Sequence, residues 1–344
     1  MRICLLLASW GEGGLERHVV ELANALSLRH EVAVVVHSVM ATRFAAGVQV
    51  FTINMDRNRG NPFFLRELVS VLRSKPFDVV HAQNSKATIL LARILRFLPA
   101  RVACVASMHN QKSALWAFAR MDHLILGGND GLLSGRSLSI PVSCIYNGIV
   151  PSGAQGWTRQ KLVEEFGFDA AQPVYCAVGR LVPAKGFDVL IPALAQAGCQ
   201  CLLIGDGPER AALTRLAGQT SARVVFPGYR ADAMSLLTVS DGMLISSRNE
   251  GFAYVFVEGM LAERPILATD IPMVQSFLPR ELIVPVEDIA ALAQALRRLD
   301  ADPEGWRALM QPAFAKARAE LTLEAMVGST EAVYQQVVAK RPAA

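Results

Sequence analysis

Short apolar segments alternate with helical patterns along almost the entire chain, and this alternation limits the folds that are open to it. Strands that are separated by helices pair in parallel, because the helix returns the chain to the edge from which the next strand starts. The segments are rich in Val, Ile and Leu, which is typical of strands that are covered on both faces. The sequence therefore predicts an α/β fold of parallel sheets with helices on both faces.

The predicted strands form two series that are separated by a region rich in turn residues. The first series is Ile3–Leu7, Val32–Val36, Val48–Ile53, Val79–His81, Val102–Ala106, His123–Leu126 and Cys144–Tyr146. The second series is Val174–Val178, Cys201–Ile204, Val224–Phe226, Met243–Ile245, Ile266–Ala268 and Leu282–Val284. The main helical patterns are Glu16–Leu28, Pro62–Arg73, Lys86–Phe97, Glu287–Leu299 and Trp306–Val338.

The region between the two series predicts a domain boundary. It contains the turn signal Asn147-Gly148 and the linker-like sequence PSGAQG, and a length of 344 residues suits about two domains. We predict two doubly wound, Rossmann-like domains that face a cleft. Their predicted limits are residues 1–150 and 173–300, with a linker at 151–172 and a helical segment at 301–344 that could pack back on the first domain. Ligands are then expected at the carboxyl ends of the strands. A single larger sheet is the alternative.

Charge is distributed unevenly between the two halves. Residues 1–150 contain 16 Lys and Arg against 9 Asp and Glu, a net charge of +7, whereas residues 151–344 contain 18 against 21, a net charge of −3. The basic first half predicts an acidic partner, such as a phosphorylated acceptor or an anionic membrane surface. Nucleic acid is not expected as a partner, because the sequence has no basic-aromatic cluster or known binding module.

Cysteine usage and hydropathy predict a cytoplasmic protein. The six cysteines form neither a CxxC pair nor a metal-ligand spacing with histidine, which favours free thiols in a reducing compartment. The N-terminal sequence MRICLLL leads directly into the charged loop GEGGLER. No segment reaches the roughly 18 uncharged apolar residues that a membrane span needs.

The segment Asp241–Thr269 has the strongest functional pattern. An apolar strand leads into the polar loop SSRNEG, which carries Glu250, and a helix that starts near Ala253 carries Glu258. A helix N-terminus after a strand binds anions, since its free N–H groups and its dipole both favour negative charge. A phosphate between two carboxylates fits a nucleotide-sugar, which has hydroxyls on both sides of its diphosphate. An ordinary βαβ unit with a polar loop is the alternative interpretation.

Other loops of the second half could contact the same ligand. Arg180 and Lys185 follow a strand closely enough to place two cations on one diphosphate, although two solvated charges would look the same. Gly205 lies in the strand-to-helix turn GDGP, which could hold a base against its backbone. Gly228 and Tyr229 follow the next strand and could flank a nucleobase.

The first half offers a glycine-rich loop and several histidines. The loop GEGG does not match GxGxxG, and no acidic residue ends the next strand, so a nicotinamide cofactor is not expected. His81 and His109 end two strands at the edge where ligands bind, and both a structural and a functional role are open. His18 and His30 are expected at the surface.

The motifs taken together resemble a known family. GRLVPAKGFDVLI, LLIGDGPER, VVFPGYRAD and SSRNEGFAYVFVEGMLAERPILATD are similar, in this order, to the nucleotide-binding domain of family 4 glycosyltransferases of the GT-B fold. GGLERHVVELANAL, VVHAQ and IYNGI resemble the acceptor domain and hinge of that family. The resemblance extends from about Met1 to about Leu299, and the ordered set is more specific than any single motif.

The resemblance implies a role for each matching side chain. Arg180 and Lys185 would bind the diphosphate of the donor and stabilise the departing nucleotide. Glu250 would hold hydroxyls of the transferred sugar, and Glu258 would hold the ribose. His109 would face the reacting sugar from the acceptor domain.

Backbone groups complete the implied site. The N–H groups of Gly251, Phe252 and Ala253 would cap the phosphates, and Gly13 and Gly14 would lie against the diphosphate and the acceptor. The family retains the anomeric configuration, with the leaving phosphate acting as the base. Neither a protein nucleophile nor a cofactor is then needed, and electrostatic stabilisation dominates. The absence of a DxD motif at a strand end fits metal-independent transfer.

Three departures from the family pattern lie near the same helix. Ala253 stands where glycine or serine is commoner, Glu263 replaces the usual glycine after the helix, and DIPMVQ lacks the glycine pair that often follows ATD. None of them removes a charged residue, so activity is expected.

The resemblance implies a retaining glycosyltransferase that uses a UDP-sugar rather than a GDP-sugar. Its acceptor would be a glycan or a lipid-linked acceptor, such as bacterial lipopolysaccharide core. The segment NPFFLRELVSVLRSK, with Phe63, Phe64, Leu68 and Leu72 among basic residues, could contact an anionic membrane, although a helix that covers a sheet is the favoured interpretation. Two alternatives stay open: a nucleotide-sugar epimerase or phosphorylase of the same fold, and a non-catalytic nucleotide-sugar-binding protein.

Overall fold

The computed structural model describes residues 1–11, 13–110, 115–128, 130–133, 135–151, 153–250 and 253–341. The chain divides into two units. Unit 1 comprises Met1–Gly148 together with Leu323–Ala344, and unit 2 comprises Ile149–Thr322. Each unit is described by itself below.

The secondary structure alternates as the sequence indicates. The strands are β1 (Arg2–Leu6), β2 (Glu31–Val36), β3 (Val48–Thr52), β4 (Val79–Ala82), β5 (Ala103–Met108), β6 (His123–Leu126), β7 (Val142–Cys144), β8 (Val174–Val178), β9 (Gln200–Ile204), β10 (Arg223–Gly228), β11 (Gly242–Ile245), β12 (Ile266–Thr269) and β13 (Ile283–Val284). The α-helices are α1 (Gly14–Leu26), α2 (Pro62–Arg73), α3 (Ser85–Ile94), α4 (Arg159–Phe166), α5 (Phe187–Ala197), α6 (Arg210–Gly218), α7 (Ala233–Val239), α8 (Tyr254–Leu261), α9 (Pro272–Gln275), α10 (Ile289–Ala301), α11 (Pro303–Glu320) and α12 (Leu323–Ala339).

Each unit is built on one parallel sheet. Within the described residues, unit 1 has the strand order β3-β2-β1-β4-β5-β6-β7, and unit 2 has the order β10-β9-β8-β11-β12-β13. All the paired strands run parallel. The predicted fold of two Rossmann-like, doubly wound sheets is confirmed. The strand order reverses between β1 and β4 in unit 1, and between β8 and β11 in unit 2, which are the points where such sheets bind ligands.

The core of unit 1 has two layers, one on each face of its sheet. Successive side chains of a strand point to opposite faces, so Cys4 and Leu6 pack with α2 and α3, whereas Ile3 and Leu5 pack with α1 and α12. Strands that are buried on both faces account for the uninterrupted apolar runs in the sequence.

Helix α2 covers the sheet with the face that the apolar pattern indicates. It begins at Pro62 because the Oδ1 atom of Asn61 accepts hydrogen bonds from two N–H groups of the first turn, and proline is well suited to that first position. Phe64, Leu68 and Leu72 are buried in the core, while Phe63 is 76% exposed. Among the four apolar residues considered for membrane contact, Phe63 alone is exposed.

The predicted linker at 151–172 is wrong in its extent, because most of this segment is folded into unit 2. It contains α4, and the side chains of Trp157, Leu162 and Phe168 are buried. The indole N–H of Trp157 donates to Asp232 at 3.0 Å. Apolar side chains in a stretch that also contains glycine, proline and serine bind the segment to its own domain.

The predicted C-terminal segment also differs from the structure. Helix α11 ends at Glu320 within unit 2, and α12 starts at Leu323 and belongs to unit 1. The two helices are separated where the carbonyl of Leu321 accepts a hydrogen bond from the N–H of Ile149 at 3.0 Å and Thr322 forms a parallel bridge with Ile149. The helical pattern of the sequence continues through this break, so the predicted helical segment at 301–344 is divided between the units, and only its part from Leu323 onwards belongs to unit 1. Within the described residues, no helix is both long and apolar enough to cross a membrane.

Candidate functional site

Two polar loops of unit 2 meet at the carboxyl ends of the neighbouring strands β8 and β11. The hydroxyl of Ser246 donates to the carbonyl of Lys185 at 2.8 Å, and the N–H of Arg248 donates to the carbonyl of Ala184 at 2.8 Å. These two hydrogen bonds join the loop after β11 to a turn of 3₁₀ helix at Pro183–Lys185. The loops therefore hold their side chains in a fixed relation.

Lys185 and Glu250 form an ion pair at this junction, with Oε1 of the carboxylate as the acceptor. The hydroxyl of Ser247 donates to the same oxygen at 2.7 Å, and the side chains are only 21% and 14% exposed. The stem of the lysine lies against the backbone of Gly179, where an added Cβ would be 3.3 Å from Cε. A cation and a carboxylate, separated by 65 residues in sequence, are thus held side by side.

Gly186 is required at the point where the two loops cross. Its φ angle is +63°, and a Cβ there would lie 2.1 Å from the carbonyl oxygen of Ser246. A side chain would meet both a backbone that favours glycine and a steric overlap. This glycine allows the chain to pass from Lys185 into α5 at close contact with the other loop.

Arg248 fastens the same loops from the other side. Its guanidinium donates two hydrogen bonds to Asp188 at 2.8 Å, one to Glu287 at 2.7 Å and one to the carbonyl of Pro183 at 2.6 Å. Hydrogen bonds to Asp188 and then Glu287 raise the pKa of Arg248 above its usual value, and the bond from Arg248 lowers the pKa of Asp188. The sequence interpretation missed this residue, although its place two residues before Glu250 in SSRNEG was a usable signal.

Arg180 and α8 complete the set of residues predicted around the diphosphate. Arg180 is exposed at the start of the loop after β8, and its guanidinium has no hydrogen-bond or ion-pair partner among the described residues. Ala253 is buried and directly precedes α8, and Glu258 lies half-buried in that helix. Gly251 and Phe252 lie outside the described residues.

The residues predicted to flank a nucleobase lie at the ends of β9 and β10. Gly205 has a φ of +143°, and a Cβ there would lie 1.8 Å from the carbonyl oxygen of Gly179, so close packing of strand ends requires this glycine. The N–H of Gly205 also donates to the carbonyl of Gly228 at 2.9 Å. Tyr229 is 80% exposed. Arg210, which the sequence interpretation did not consider, lies against Gly228 and donates to the carbonyl of Phe226 at 3.1 Å.

In unit 1, a carboxylate organises the glycine-rich loop after β1. The buried Glu16 accepts a hydrogen bond from the N–H of Gly11 at 3.2 Å, and its Oε2 atom would lie 3.1 Å from a Cβ on Gly13. Burial raises the pKa of Glu16, but hydrogen bonds from Ser9 and from backbone N–H groups outweigh it and lower the pKa overall. Gly13 caps α1 and Gly14 is its first residue. The carboxylate, which the sequence interpretation missed, thus occupies the positive end of this helix.

A group of buried histidines lies behind that loop. The rings of His18 and His109 meet edge to face at 4.9 Å, so the prediction that His18 lies at the surface is wrong. Burial lowers the pKa of His109 to about 4 and that of His81 to about 3. For His18, burial and then the two other rings lower the pKa well below its usual value. These rings are therefore neutral at pH 7.

His81 and His109 differ in what their nitrogens contact. His81 hydrogen-bonds to Tyr334 at 2.7 Å and to Ser107 at 2.8 Å, and this holds α12 to the sheet. That is a structural role. Both ring nitrogens of His109 are buried and have no hydrogen-bond partner among the described residues, and a Cβ on Gly127 would lie 2.6 Å from Nδ1. His30 is half-buried and hydrogen-bonds to Glu331 at 2.9 Å, so it also differs from the predicted surface residue.

His109 also lines a cavity of about 700 Å³ in unit 1. The cavity lies at the carboxyl ends of β1, β3, β4 and β5, around the point where the strand order reverses. Its wall is formed by Ala8, Ser9, Leu15, 56–59, 84–86, His109 and Asn110. A volume of this size is in the range of small-molecule sites, roughly 300–1,000 Å³.

Family models match both units. The model described as glycosyltransferase family 4 matches residues 12–128, and the model described as glycosyl transferases group 1 matches residues 172–302. Together they match most of the chain, with one model in each unit. The chain is a family 4-like glycosyltransferase.

This glycosyltransferase is similar to curated proteins that carry the names of different sugar transferases. It is 28% identical over 344 residues to the lipopolysaccharide core biosynthesis glycosyltransferase LpsD of Rhizobium meliloti, covering 96% of this chain and 97% of that protein. It is also 28% identical over 191 residues to an alpha-D-kanosaminyltransferase of Streptomyces kanamyceticus, covering 52% of this chain and 49% of that protein. The chain thus spans about half the length of the kanosaminyltransferase.

Solved structures support the same fold. Anabaena Alr3699/HepE in complex with UDP superimposes with a TM-score of 0.80 at 22% identity, covering 98% of this chain and 100% of that chain. The same protein in complex with UDP-glucose gives a TM-score of 0.74 at 21% identity, with the same coverage. The glycosyltransferase therefore has the GT-B fold.

Proposed function

We propose that this glycosyltransferase moves a sugar from a nucleotide-sugar, a UDP-sugar rather than a GDP-sugar, to a glycan or lipid-linked acceptor with retention of anomeric configuration. The observation that carries the proposal is the Lys185–Glu250 pair at the strand-order reversal of unit 2. Such a reversal is where open α/β sheets bind nucleotides. The UDP and UDP-glucose complexes of a protein of the same fold support the choice of donor.

The donor engages these residues by charge and hydrogen bonding. Lys185 and the exposed Arg180 bind the diphosphate, and Glu250 accepts hydrogen bonds from the transferred sugar. Glu258 in α8 binds the ribose. The N–H groups at the start of α8 face the phosphates, where Ala253 has no side-chain group that could cap them.

Catalysis of the transfer depends on stabilising the negative charge that develops on the leaving nucleotide. An acceptor hydroxyl oxygen bonds to the anomeric carbon while the bond from that carbon to the phosphate oxygen breaks. The electron pair stays on the phosphate, which takes the hydroxyl proton. Lys185 and Arg180 stabilise the negative charge, the task that a metal performs in other transferases. The reaction in this proposal is metal-independent, and it needs no further cofactor.

In unit 1, neutral His109 contacts the transferred sugar as a hydrogen-bonding group. Its low pKa suits donation or acceptance of a hydrogen bond and not a charge interaction. Gly13 and Gly14 allow the backbone to approach the diphosphate or the acceptor.

The acceptor is a bacterial surface glycan, such as lipopolysaccharide core or another lipid-linked oligosaccharide. LpsD supports this choice, since the similarity extends over nearly all of both chains. We place the reaction in the cytoplasm at the inner face of the membrane. The basic first half and the exposed Phe63 would make a peripheral contact with anionic lipid there. Co-sedimentation with anionic vesicles at low salt checks this contact, and no binding would remove it.

Variants at the ion pair test the donor site. Lys185→Ala should reduce sugar transfer by roughly 100-fold or more, because the charge on the leaving group loses its cation, and it should also weaken UDP binding. Glu250→Ala should reduce transfer far more than it affects binding of free UDP, because UDP has no sugar for the carboxylate to hold. UDP release and labelled product with rough lipopolysaccharide report transfer, and calorimetry reports UDP binding.

Lys161→Ala is the matched control, since it removes an exposed lysine of α4 that contacts the Trp157 ring. It should leave transfer and UDP binding unchanged. Full activity in Lys185→Ala or Glu250→Ala would show that the donor site is elsewhere. A panel of nucleotide-sugars in a thermal-shift assay then identifies the donor, because a ligand at 100 times its Kd adds roughly 2.7 kcal/mol of stability.

A further inference from the structure

The cavity of unit 1 is lined by more positive than negative charge. Arg57, Arg59 and Lys86 line it together with one carboxylate, Asp56. That carboxylate also lies 3.4 Å from the ring of His37. A neutral sugar needs no such excess of cations, so the wall is suited to a ligand that carries negative charge.

Lys86 is the innermost cation of this wall. Its Nζ atom donates to the carbonyl of Met55 and lies 5.2 Å from the centre of the Trp10 ring. Burial, and to a lesser degree Arg59, lowers the pKa of Lys86, which Asp56 partly offsets. This half-buried ammonium group donates a single hydrogen bond within the described residues, so it retains donors for an anion.

Arg59 supplies a second cation at the exposed side of the cavity. Its carbonyl accepts a hydrogen bond from Arg93, but its guanidinium has no hydrogen-bond or ion-pair partner among the described residues. Arg57, by contrast, is held by Glu67 at 2.7 Å. The two cations with spare donors are therefore Arg59 and Lys86, and a guanidinium can bind a phosphate or carboxylate through two hydrogen bonds.

Polar groups without charge occupy the rest of the wall. Asn84 caps α3 by accepting from the N–H of Ala87, and its amide donates to Ser9 at 3.3 Å. His109 faces the same space with two buried nitrogens that have no partner among the described residues. The wall thus places neutral hydrogen-bonding side chains beside its cations.

We propose that this cavity binds an acidic sugar of the acceptor, with Lys86 and Arg59 on its phosphate or carboxylate and Asn84 on its hydroxyls, next to His109, which contacts the transferred sugar. The inference rests on the proposed function, since it assigns the acceptor class of the same transfer. An enzyme with this cavity distinguishes acidic acceptors from neutral ones before the reaction. The acceptor must accordingly come from a reaction that adds a phosphate or a uronic-type acid to the growing glycan.

Binding of small sugars to the full-length protein tests the charge requirement. Glucose 6-phosphate and glucuronate represent the two anion sources, and glucose is the neutral reference. We expect at least one of the two acidic sugars to bind about tenfold more tightly than glucose in calorimetry, and to lose affinity as salt increases. A preference for the phosphate or for the carboxylate identifies the source. Equal affinity for all three sugars would overturn the proposal.

Variants locate the binding to the two cations. Lys86→Met and Arg59→Gln should each weaken acidic-sugar binding about tenfold and leave glucose binding unchanged. Lys86→Arg should retain the preference, which covers the case in which Lys86→Met does not fold. Arg96→Gln is the control, since this arginine lies over the Phe97 ring outside the cavity. The proposal fails if Lys86→Met and Arg59→Gln both bind like the control.

The outcome can be separated from that of the donor proposal. Lys185→Ala alters unit 2 and should leave acidic-sugar binding intact. Acidic-sugar binding without any nucleotide binding would refute the donor site and keep the cavity assignment. Nucleotide binding and transfer without a preference for acidic sugars would refute the cavity assignment and keep the donor site.

Discussion

Unit 1 should lose stability on mild acidification, because it contains histidines that are buried in the neutral form. The pKa values of His81 and His109 are lowered to about 3 and about 4, and that of His18 is also well below the usual value. In the unfolded chain the pKa of all three is about 6.5. Between pH 6.5 and pH 4 the unfolded chain therefore binds protons that the folded chain does not, so stability falls as the pH falls.

The size of the effect follows from these pKa values. At pH 5.5, protonation of each of His81 and His109 stabilises the unfolded form over the folded form by roughly 1.4 kcal/mol relative to high pH. At pH 5 the value is roughly 2 kcal/mol for each. The two together reach about 4 kcal/mol at pH 5, a large part of a typical stability of about 5–15 kcal/mol. His18 adds a contribution of the same sign. Carboxylates titrate mainly below this range, so the interval from pH 6.5 to pH 5 isolates the histidines.

The chain supplies its own control. All six histidines precede residue 124, so unit 2 contains none. Hydrogen exchange with mass spectrometry at pH 7.5, 6 and 5, corrected for the intrinsic exchange rate, measures the opening free energy of each unit separately. Peptides of the unit 1 sheet should lose several kcal/mol of protection while peptides of unit 2 lose little. His109→Gln should reduce the pH dependence of the opening free energy of unit 1 by about 1.4 kcal/mol per pH unit, which corresponds to one proton.

The reasoning would be refuted if the stability of unit 1 stayed constant or increased when the pH is lowered from 7.5 to 5. It would mean that the rings are solvated or already protonated in the folded protein. His109 would then be able to carry a charge at the site, in contrast to the neutral role proposed for it.

Two substitutions test backbone geometry near the donor site. Gly186→Ala should destabilise the protein by about 2–5 kcal/mol and reduce transfer, because its Cβ meets Ser246 and its φ is positive. Gly198→Ala, with a φ of +73° and no atom within 4 Å of its Cβ, should cost only about 1–2 kcal/mol. Equal urea midpoints would argue against the loop contact. Glu263 has a φ of +52° and pairs with Arg318, so Glu263→Gly should be about 1 kcal/mol more stable than Glu263→Ala in urea unfolding. A more stable alanine variant would contradict this.

The sheets could be predicted because strands buried on both faces must be apolar throughout. This requirement is local, so each strand shows in its own few residues, as Val32–Val36 does. The limits of the two domains could not be predicted in this way. Leu321 and Thr322 interrupt a continuous helical pattern only because Ile149 pairs with them, and such a contact over 170 residues leaves no local signal.

The candidate site was predicted unevenly for the same reason. Lys185 and Glu250 have recognisable places in motifs that follow strands, and the structure brings them together. The burial of His18 was missed, because a single polar residue in a helix does not reveal a second ring packed against it. Arg248 was missed because the partners of its guanidinium, Pro183, Asp188 and Glu287, all lie far from it in the sequence. Charges that hold loops together look like solvated charges in the sequence.

The ion pair also bears on how a donor would be selected. Lys185 and Glu250 were assigned to different parts of one ligand, but in the structure they pair with each other. A phosphate that takes the lysine leaves a carboxylate that is 14% exposed without its cation, and burying an unpaired charge is costly. Sugar hydroxyls can offset that cost by donating to Glu250, whereas a free nucleotide has none in this position. Under the proposed function, the pair therefore favours the intact nucleotide-sugar over the nucleotide that is left after transfer, and so promotes release of the product.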